Sequence, residues 1–292
     1  MSPQRYRVRH ESHYEYGAMV TSGRHLLHLT PRATAWQTVI EHRREVEPTP
    51  TESSEDIDFF GNPIVRLAID RPHDKLALIT ESLVEVRLRP APDDTPAWDA
   101  VRATIAAASI DMQLELAQFI APSPFAPIFA EAAAYAKRHL EPGRAWLPAV
   151  LGLAQAINAE FEYDPKATTI ATPVRTVLAR RHGVCQDFAL VMVSCLRSIG
   201  LPARYVSGYI LTTPSPGKPR LVGADASHAW VSSWCPGVGW VDFDPTNAKL
   251  ATTEFVTLGW GRDVGDVTPV RGVVLGGGAQ ELEVRVTVTP VE

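Results

Sequence analysis

The chain has 292 residues, with 28 basic and 33 acidic side chains and a net charge of −5. This charge balance provides no basic surface of the kind that binds nucleic acid or an anionic membrane, so we expect neither partner. With 45% hydrophobic and 21% charged residues, the chain can bury one large core or two ordinary ones. The three cysteines, an odd number, argue against a disulfide framework and favour a reducing compartment.

No targeting or membrane segment is evident from the sequence. Residues 1–10 are polar and basic and lack the apolar centre of a secretory signal. No apolar run approaches the roughly 18 residues that a membrane-spanning helix needs. We therefore expect a cytoplasmic protein; the sequence leaves homo-oligomerisation open.

Residues 4–90 show the two-residue alternation of half-buried strands, for example at Arg5–Arg9 and Leu83–Leu88. A turn is indicated at Gly61-Asn62-Pro63. Residues 90–96, with their prolines and aspartates, are the best linker candidate. These patterns predict an N-terminal antiparallel β-sandwich domain over residues 1–92.

The remaining residues, 93–292, are predicted to form one α+β catalytic domain. Good helix formers with few breakers predict helices over Ala126–Leu140 and Pro148–Phe161, and Pro173 favours a further helix start before Val174. Strands are predicted over Arg204–Ile210 and Ala229–Trp234. The expected order is helices, then a cysteine-bearing helix, then an antiparallel sheet.

Cys185 stands at the start of a predicted helix whose apolar residues recur at three- and four-residue spacing up to Ile199. A helix N-terminus carries partial positive charge and unpaired backbone N–H groups, which favour the thiolate over the thiol. The same N–H groups can stabilise an oxyanion on a carbonyl that the sulfur attacks. Cys185 is therefore a candidate nucleophile.

A histidine and two aspartates follow on predicted strands. A thiol nucleophile needs a base, and the imidazole of that base needs a carboxylate to orient it. His228 can supply the base, and Asp244 can supply the carboxylate. Asp242 competes for the second role, because on a strand it points to the same face as Asp244.

Three sequence blocks carry a resemblance to a known family: GVCQDFALVMVSCLRSIGLPARYVSGY, ASHAWV and GWVDFDPTN. Together they resemble the bacterial branch of the transglutaminase-like superfamily, papain-fold enzymes that include candidate cysteine proteases. The resemblance extends to the β-rich N-terminal part through His13–Tyr16, Leu27–Pro31 and Asp58–Asn62, and covers nearly the whole chain. It implies Cys185 as nucleophile, His228 as general base and acid, and Asp244 as the orienting carboxylate.

The resemblance also implies the reaction. The cysteine attacks a peptide or carboxamide carbonyl and forms a thioester, which water or an amine then resolves. We expect hydrolysis, as in a peptidase or amidase, with a transglutaminase as the alternative. No cofactor is expected. In animal transglutaminases an upstream tryptophan supplies the second oxyanion donor; this chain has none at that place, and further candidates for substrate or oxyanion contacts are Tyr163, Gln186, Trp230 and Asp242.

Two other interpretations compete with the enzyme. His182 and Cys185 are spaced like zinc ligands, but no Cys or His cluster completes a four-ligand set, so no metal site is predicted. A non-catalytic module that binds a peptide or serves assembly could share this fold, because fold alone does not establish function. Loss of a triad residue would indicate such a module, and none is lost.

Overall fold

The structure is a computed structural model that describes residues 3–169, 172–212 and 227–291. It confirms the α+β class, with a strand-rich N-terminal part followed by helices and a second sheet. Across these ranges no helix is both long and apolar enough to cross a bilayer. The predicted cytoplasmic location stays a prediction.

The N-terminal part is a single curled antiparallel sheet built around one strand of 24 residues, β1. Its hydrogen-bonded order is β2-β5-β1-β4-β3, and two C-terminal strands, β13 and β14, also pair with β1. Alternate residues of β5 are buried, as expected for a strand with one face on a core. The strands of this sheet are β1 (Gln4–Leu27), β2 (Gln37–Glu47), β3 (Glu52–Ile57), β4 (Pro63–Ile69), β5 (His73–Val86), β13 (Val270–Gly276) and β14 (Gln280–Val291).

The C-terminal strands correct the predicted domain boundary. A division at residue 92 assigns residues 270–291 to the catalytic domain, whereas β13 and β14 both pair with β1 in the N-terminal sheet. Val286 and Val288 of β14 are buried in a cluster with Tyr6 and Val8. The alternating pattern predicts a strand but not its partner, because pairing between distant segments is decided by tertiary contacts.

The rest of the chain has seven helices and seven strands among the described residues. Its main sheet is antiparallel with the order β11-β10-β9-β8-β12, and β6 and β7 form a short parallel pair. The elements are α1 (Ala100–Ala106), α2 (Ile110–Ala117), α3 (Ala130–His139), α4 (Trp146–Glu160), β6 (Glu162–Tyr163), α5 (Val174–Arg180), β7 (His182–Gly183), α6 (Cys185–Ser198), β8 (Ala203–Ile210), β9 (Ser227–Cys235), β10 (Gly239–Asp244), β11 (Lys249–Leu250), β12 (Phe255–Gly261) and α7 (Val264–Val267).

Helix α6 lies at the centre of the largest hydrophobic core cluster among the described residues. Every residue from Asp187 to Arg197 is buried, which is typical of a helix enclosed by other elements. One side of α6 packs on the sheet at β8 and β9, and other sides contact α3, α4 and α5. This enclosure fixes the position of Cys185 at the helix start.

Asn62 joins the N-terminal sheet to the five-stranded sheet. Its side-chain amide donates to the carbonyl of Trp260 at 2.8 Å, and its Oδ1 accepts from the Trp260 N–H at 3.0 Å. Asp58 holds Asn62 by accepting from its backbone N–H and its side-chain amide, each at 2.8 Å. The Asp58–Asn62 motif therefore has a structural role at this junction.

Candidate active site

Cys185 is the first residue of α6 and is partly exposed. Because it begins the helix, its backbone N–H has no acceptor within the helix. The carboxylate of Asp187 caps this end: its Oδ2 accepts from the Val184 N–H at 2.9 Å and from the Thr168 hydroxyl at 2.6 Å. A Cβ at Gly183 would lie 2.7 Å from the same oxygen, so glycine is needed for the close approach of Asp187. The helix end that carries the thiol is thus held from several sides.

His228 lies on β9 and contacts both partners expected of a triad base. Its Nε2–H donates to Asp244 Oδ2 at 2.7 Å. The Cys185 thiol lies close enough to the His228 ring to act on its pKa. Because Nε2 is bonded to the carboxylate, Nδ1 is the ring nitrogen that is left for the thiol. The structure thus brings Cys185, His228 and Asp244 into one continuous chain of side chains.

Asp244 is fully buried at the end of β10, and both of its oxygens accept hydrogen bonds. Oδ1 accepts from the backbone N–H groups of Thr246 at 2.8 Å and Asn247 at 3.2 Å. Oδ2 accepts from the Asn247 side-chain amide at 2.6 Å as well as from His228. Burial acts to raise the pKa of Asp244, but the hydrogen bond and positive charge of His228 outweigh it, and the pKa is lowered. A carboxylate fixed in this way can orient an imidazole ring.

The charge state of His228 is set by the same neighbours. Burial disfavours the imidazolium, but the hydrogen bonds with Asp244 and Cys185 and their negative charges outweigh burial and raise the pKa of His228 to about 9. The ring therefore carries its second proton at neutral pH. An imidazolium beside a thiol at a helix N-terminus favours a thiolate–imidazolium pair.

This raised pKa predicts how stability depends on pH. In the unfolded chain a histidine titrates near 6.5, whereas in the folded protein the pKa of His228 is about 9. The stabilisation from the imidazolium should be complete below pH ~6.5 and should be lost as the pH rises through ~9. Urea unfolding of the wild type and of His228→Gln should show the difference in unfolding free energy shrinking across this window; a constant difference would contradict the charged pair.

Two aromatic side chains lie beside the His228 ring. The Trp230 ring is fully buried and is tilted by 28° relative to the His228 ring, with centroids 6.1 Å apart. Phe255 lies 6.0 Å from His228 and 5.2 Å from Trp230. This apolar wall limits the access of water to one side of the base.

Tyr163 and Gln186 lie on the Cys185 side of the site. Tyr163, in β6, pairs with Gly183 and is 52% exposed. Burial raises the pKa of Tyr163, and the nearby Cys185 and Asp187 raise it further. Gln186 follows the cysteine in the first turn of α6 and is partly exposed. Both residues stay candidates for substrate or oxyanion contacts.

Asp242 points to the same sheet face as Asp244, as the sequence predicts, but has different neighbours. The described residues provide no hydrogen-bond partner for its buried Oδ1 atom. Its charge interacts with Arg204 and Arg89 rather than with His228.

Asn247 is a functional candidate that the sequence reasoning did not single out. Its side chain and backbone both donate to Asp244. The only signal was its position at the end of the GWVDFDPTN block, since a loop asparagine has many structural uses.

We expect iodoacetamide to label Cys185 before the other two cysteines. Cys195 and Cys235 are buried, and burial raises the pKa of Cys195 and raises that of Cys235 to about 12. Cys185 is partly exposed at a helix start beside His228, so it should be labelled fastest. Mass spectrometry of digested protein gives each rate. Equal labelling of the three cysteines would count against Cys185 as the nucleophile.

Comparison with known proteins defines the class of the chain. The family described as the bacterial transglutaminase-like N-terminal region matches residues 6–85, and the transglutaminase-like superfamily matches residues 133–245. A Mycobacterium tuberculosis protein, named only as uncharacterized, is 37% identical over 299 residues, which is 99% of this chain and 93% of that protein. The chain belongs to the transglutaminase-like superfamily, as its three motif blocks predict.

Two further similarities concern part of the chain and the fold. A protein-glutamine gamma-glutamyltransferase of Pseudomonas aeruginosa is 35% identical over 102 residues, which is 32% of this chain but only 15% of that enzyme. The crystal structure of a protein from Cytophaga hutchinsonii, described as a candidate cysteine protease, has a TM-score of 0.80 and 18% identity, covering 100% of this chain and 92% of that one. At this identity the likeness shows a common fold, including the N-terminal sheet.

Proposed function

We propose that the protein is a cysteine-dependent acyl-transfer enzyme in which Cys185 is the nucleophile, His228 the general base and acid, and Asp244 the orienting carboxylate. One observation carries the proposal: at the start of a buried helix, the His228 imidazole lies between the partly exposed Cys185 thiol and the buried Asp244 carboxylate. Each group has the environment that its role requires.

In the first half of the reaction, the Cys185 sulfur bonds to the carbonyl carbon of a peptide or carboxamide group. The backbone N–H of Cys185 stabilises the oxyanion that forms. His228 then gives its proton to the leaving nitrogen as the carbon–nitrogen bond breaks, which releases an amine or ammonia. The acyl group stays on Cys185 as a thioester.

In the second half, His228 takes a proton from water as the water oxygen attacks the thioester carbonyl. The carbon–sulfur bond breaks, the carboxylic acid leaves, and the thiolate–imidazolium pair is restored. The partial exposure of Cys185 and Gln186 gives water access to the sulfur. We therefore propose a peptidase or amidase.

A transglutaminase is the second candidate, and the similarity to the Pseudomonas aeruginosa glutamyltransferase favours it. In that reaction an amine rather than water attacks the thioester, and an amide is formed. Both outcomes use the same three residues, so the acceptor distinguishes them.

A substrate screen with and without an amine acceptor tests the proposal. Peptides, glutamine carboxamides and isopeptides are incubated with wild type and with Cys185→Ser, and the products are identified by mass spectrometry. Hydrolysis predicts the acid product even when the amine is present; a transglutaminase predicts an amide adduct of the amine. Turnover by Cys185→Ser that equals that of the wild type would overturn both candidate functions.

A further inference from the structure

A cavity of about 130 Å³ lies between the N-terminal sheet and the five-stranded sheet of β8 to β12. Trp36 and Arg89 line it from the N-terminal part of the chain. Arg204, Asp242 and Trp260 line it from the five-stranded sheet. A volume of this size corresponds to about four water molecules, or to a small organic molecule of a few heavy atoms.

Three polar residues form a row across the floor of this region. Strand register places Arg204 of β8 opposite Ser232 of β9, and Ser232 opposite Asp242 of β10. Each has one buried polar atom without a partner among the described residues: Arg204 Nε, Ser232 Oγ and Asp242 Oδ1. A buried polar atom without a hydrogen-bond partner lowers stability. Here three such atoms lie on neighbouring strands, and two of their residues, Arg204 and Asp242, line the cavity. Their arrangement indicates a place where a polar molecule binds.

Arg204 is presented in a way suited to binding an anion. Its side chain is stacked between two tryptophans, with the guanidinium carbon 4.3 Å from the Trp240 ring centroid and 3.8 Å from that of Trp260. Arg204 is only 8% exposed. Because rings cover the faces of the guanidinium, its N–H groups are available only along the edge. That planar edge matches a carboxylate, which can accept two parallel hydrogen bonds from it.

The charges around the cavity favour a ligand that carries both signs. Three arginines line the cavity, Arg204, Arg89 and Arg87, of which Arg87 is paired with Glu85, and Asp242 is the one acidic residue in the lining. Among the described residues, Asp242 forms no ion pair within bonding distance of either arginine, so its Oδ1 also lacks a donor. Burial lowers the pKa of Arg204 to about 9 despite the attraction of Asp242, and a bound carboxylate would offset that burial cost.

We propose that this cavity binds a small zwitterion of the α-amino-acid type. Its carboxylate accepts hydrogen bonds from the edge of Arg204, with Arg89 supplying a second positive charge. Its ammonium group donates to Asp242. Phe255 lines the cavity and also contacts His228, and Asp242 is two residues from Asp244, so the site adjoins the candidate active site but does not depend on its chemistry.

Thermal unfolding and calorimetric titration of the full chain test this site, with glycine as the probe. Glycine should raise the unfolding temperature in a dose-dependent manner, because a ligand that binds only the folded state stabilises it. Acetate and methylamine, which each carry one of the two charged groups, should have smaller effects at the same concentration. Equal effects of glycine and acetate would overturn the zwitterion assignment.

Two variants locate the binding. Arg89→Gln and Asp242→Asn should each weaken glycine affinity by about tenfold or more, because each removes a charged partner. Arg175→Gln is the matched control: Arg175 stacks on Phe129 at 4.3 Å, away from the cavity, and its loss should leave the affinity unchanged. Arg204→Gln should weaken glycine binding as well. Because Arg204 is stacked between Trp240 and Trp260, circular dichroism first establishes that this variant folds. No glycine binding to wild type, or equal affinity in Arg89→Gln, Asp242→Asn and Arg175→Gln, would overturn the proposal.

Discussion

Replacement of Cys185 by serine should lower turnover by about 10⁴-fold or more while leaving the fold intact. Loss of a triad nucleophile removes the covalent route, and losses of this order or larger are known for hydrolytic triads. The change replaces one atom on a partly exposed residue at a helix start, so stability should change little. Turnover of the best substrate and the urea unfolding midpoint measure the two effects.

Cys195→Ser is the matched control for this prediction. Cys195 is fully buried within α6 and takes no part in the proposed chemistry. A buried hydroxyl without an assured partner should cost roughly 1–3 kcal/mol of unfolding free energy and leave kcat unchanged. Wild-type turnover in Cys185→Ser, or a loss of kcat in Cys195→Ser alone, would show that the nucleophile is assigned wrongly.

Asp244→Asn should lower turnover by roughly 10²-fold or more. It removes the charge that stabilises the imidazolium and favours the productive tautomer of His228; the corresponding change in a serine-protease triad costs about 10⁴-fold. A thiolate–imidazolium pair that forms before substrate binds should depend on the carboxylate less than a serine-protease triad does. We therefore expect a loss nearer to 10²-fold than to 10⁴-fold.

The structure adds a stability effect to this variant. Both Asp244 oxygens accept N–H donors, from His228, Thr246 and Asn247. The NH₂ group of an asparagine must therefore face at least one of these donors. We expect a cost of about 1–3 kcal/mol, visible in urea unfolding alongside the loss of turnover.

Asp242→Asn tests which of the two aspartates, Asp242 or Asp244, orients His228. A two-residue step along a strand is roughly 6–7 Å, so Asp242 cannot share the Nε2 hydrogen bond that Asp244 accepts. Its charge acts on Arg204 and Arg89, and we expect turnover to fall less than about tenfold. The kcat of both variants on one substrate distinguishes the two roles. A larger loss in Asp242→Asn would mean that Asp242 is the triad carboxylate and that Asp244 is structural.

Much of the candidate site could be predicted because its determinants are local. The position of Cys185 at a helix start follows from the apolar spacing of the helix behind it, and the structure begins α6 at that residue. The placing of Asp242 and Asp244 on one face follows from the two-residue repeat of a strand.

Helix starts were predicted less well. Helix α3 begins at Ala130, four residues after the predicted start at Ala126. Helix α4 begins at Trp146, two residues before the predicted start at Pro148, because proline is tolerated in a first turn.

What could not be predicted depends on long-range contacts. The pairing of β13 and β14 with β1 joins residues more than 200 positions apart, for example Arg5 with Val291. The stacking of Arg204 between Trp240 and Trp260 likewise combines three separate strands. Asn247 shows its role only when the loop after β10 turns its side chain back to Asp244. Residue patterns report which face of an element is buried but not which distant residue covers it.

The central claim is that Cys185 carries the acyl group during turnover. Acid quenching of the enzyme during reaction with its best substrate, followed by intact-mass and peptide-map analysis, measures this directly. We predict an adduct with the mass of the acyl group on the peptide that contains Cys185, sensitive to hydroxylamine as a thioester is, and absent from Cys185→Ser. Turnover accompanied by an acyl adduct on another residue, or by an adduct that persists in Cys185→Ser, would contradict it.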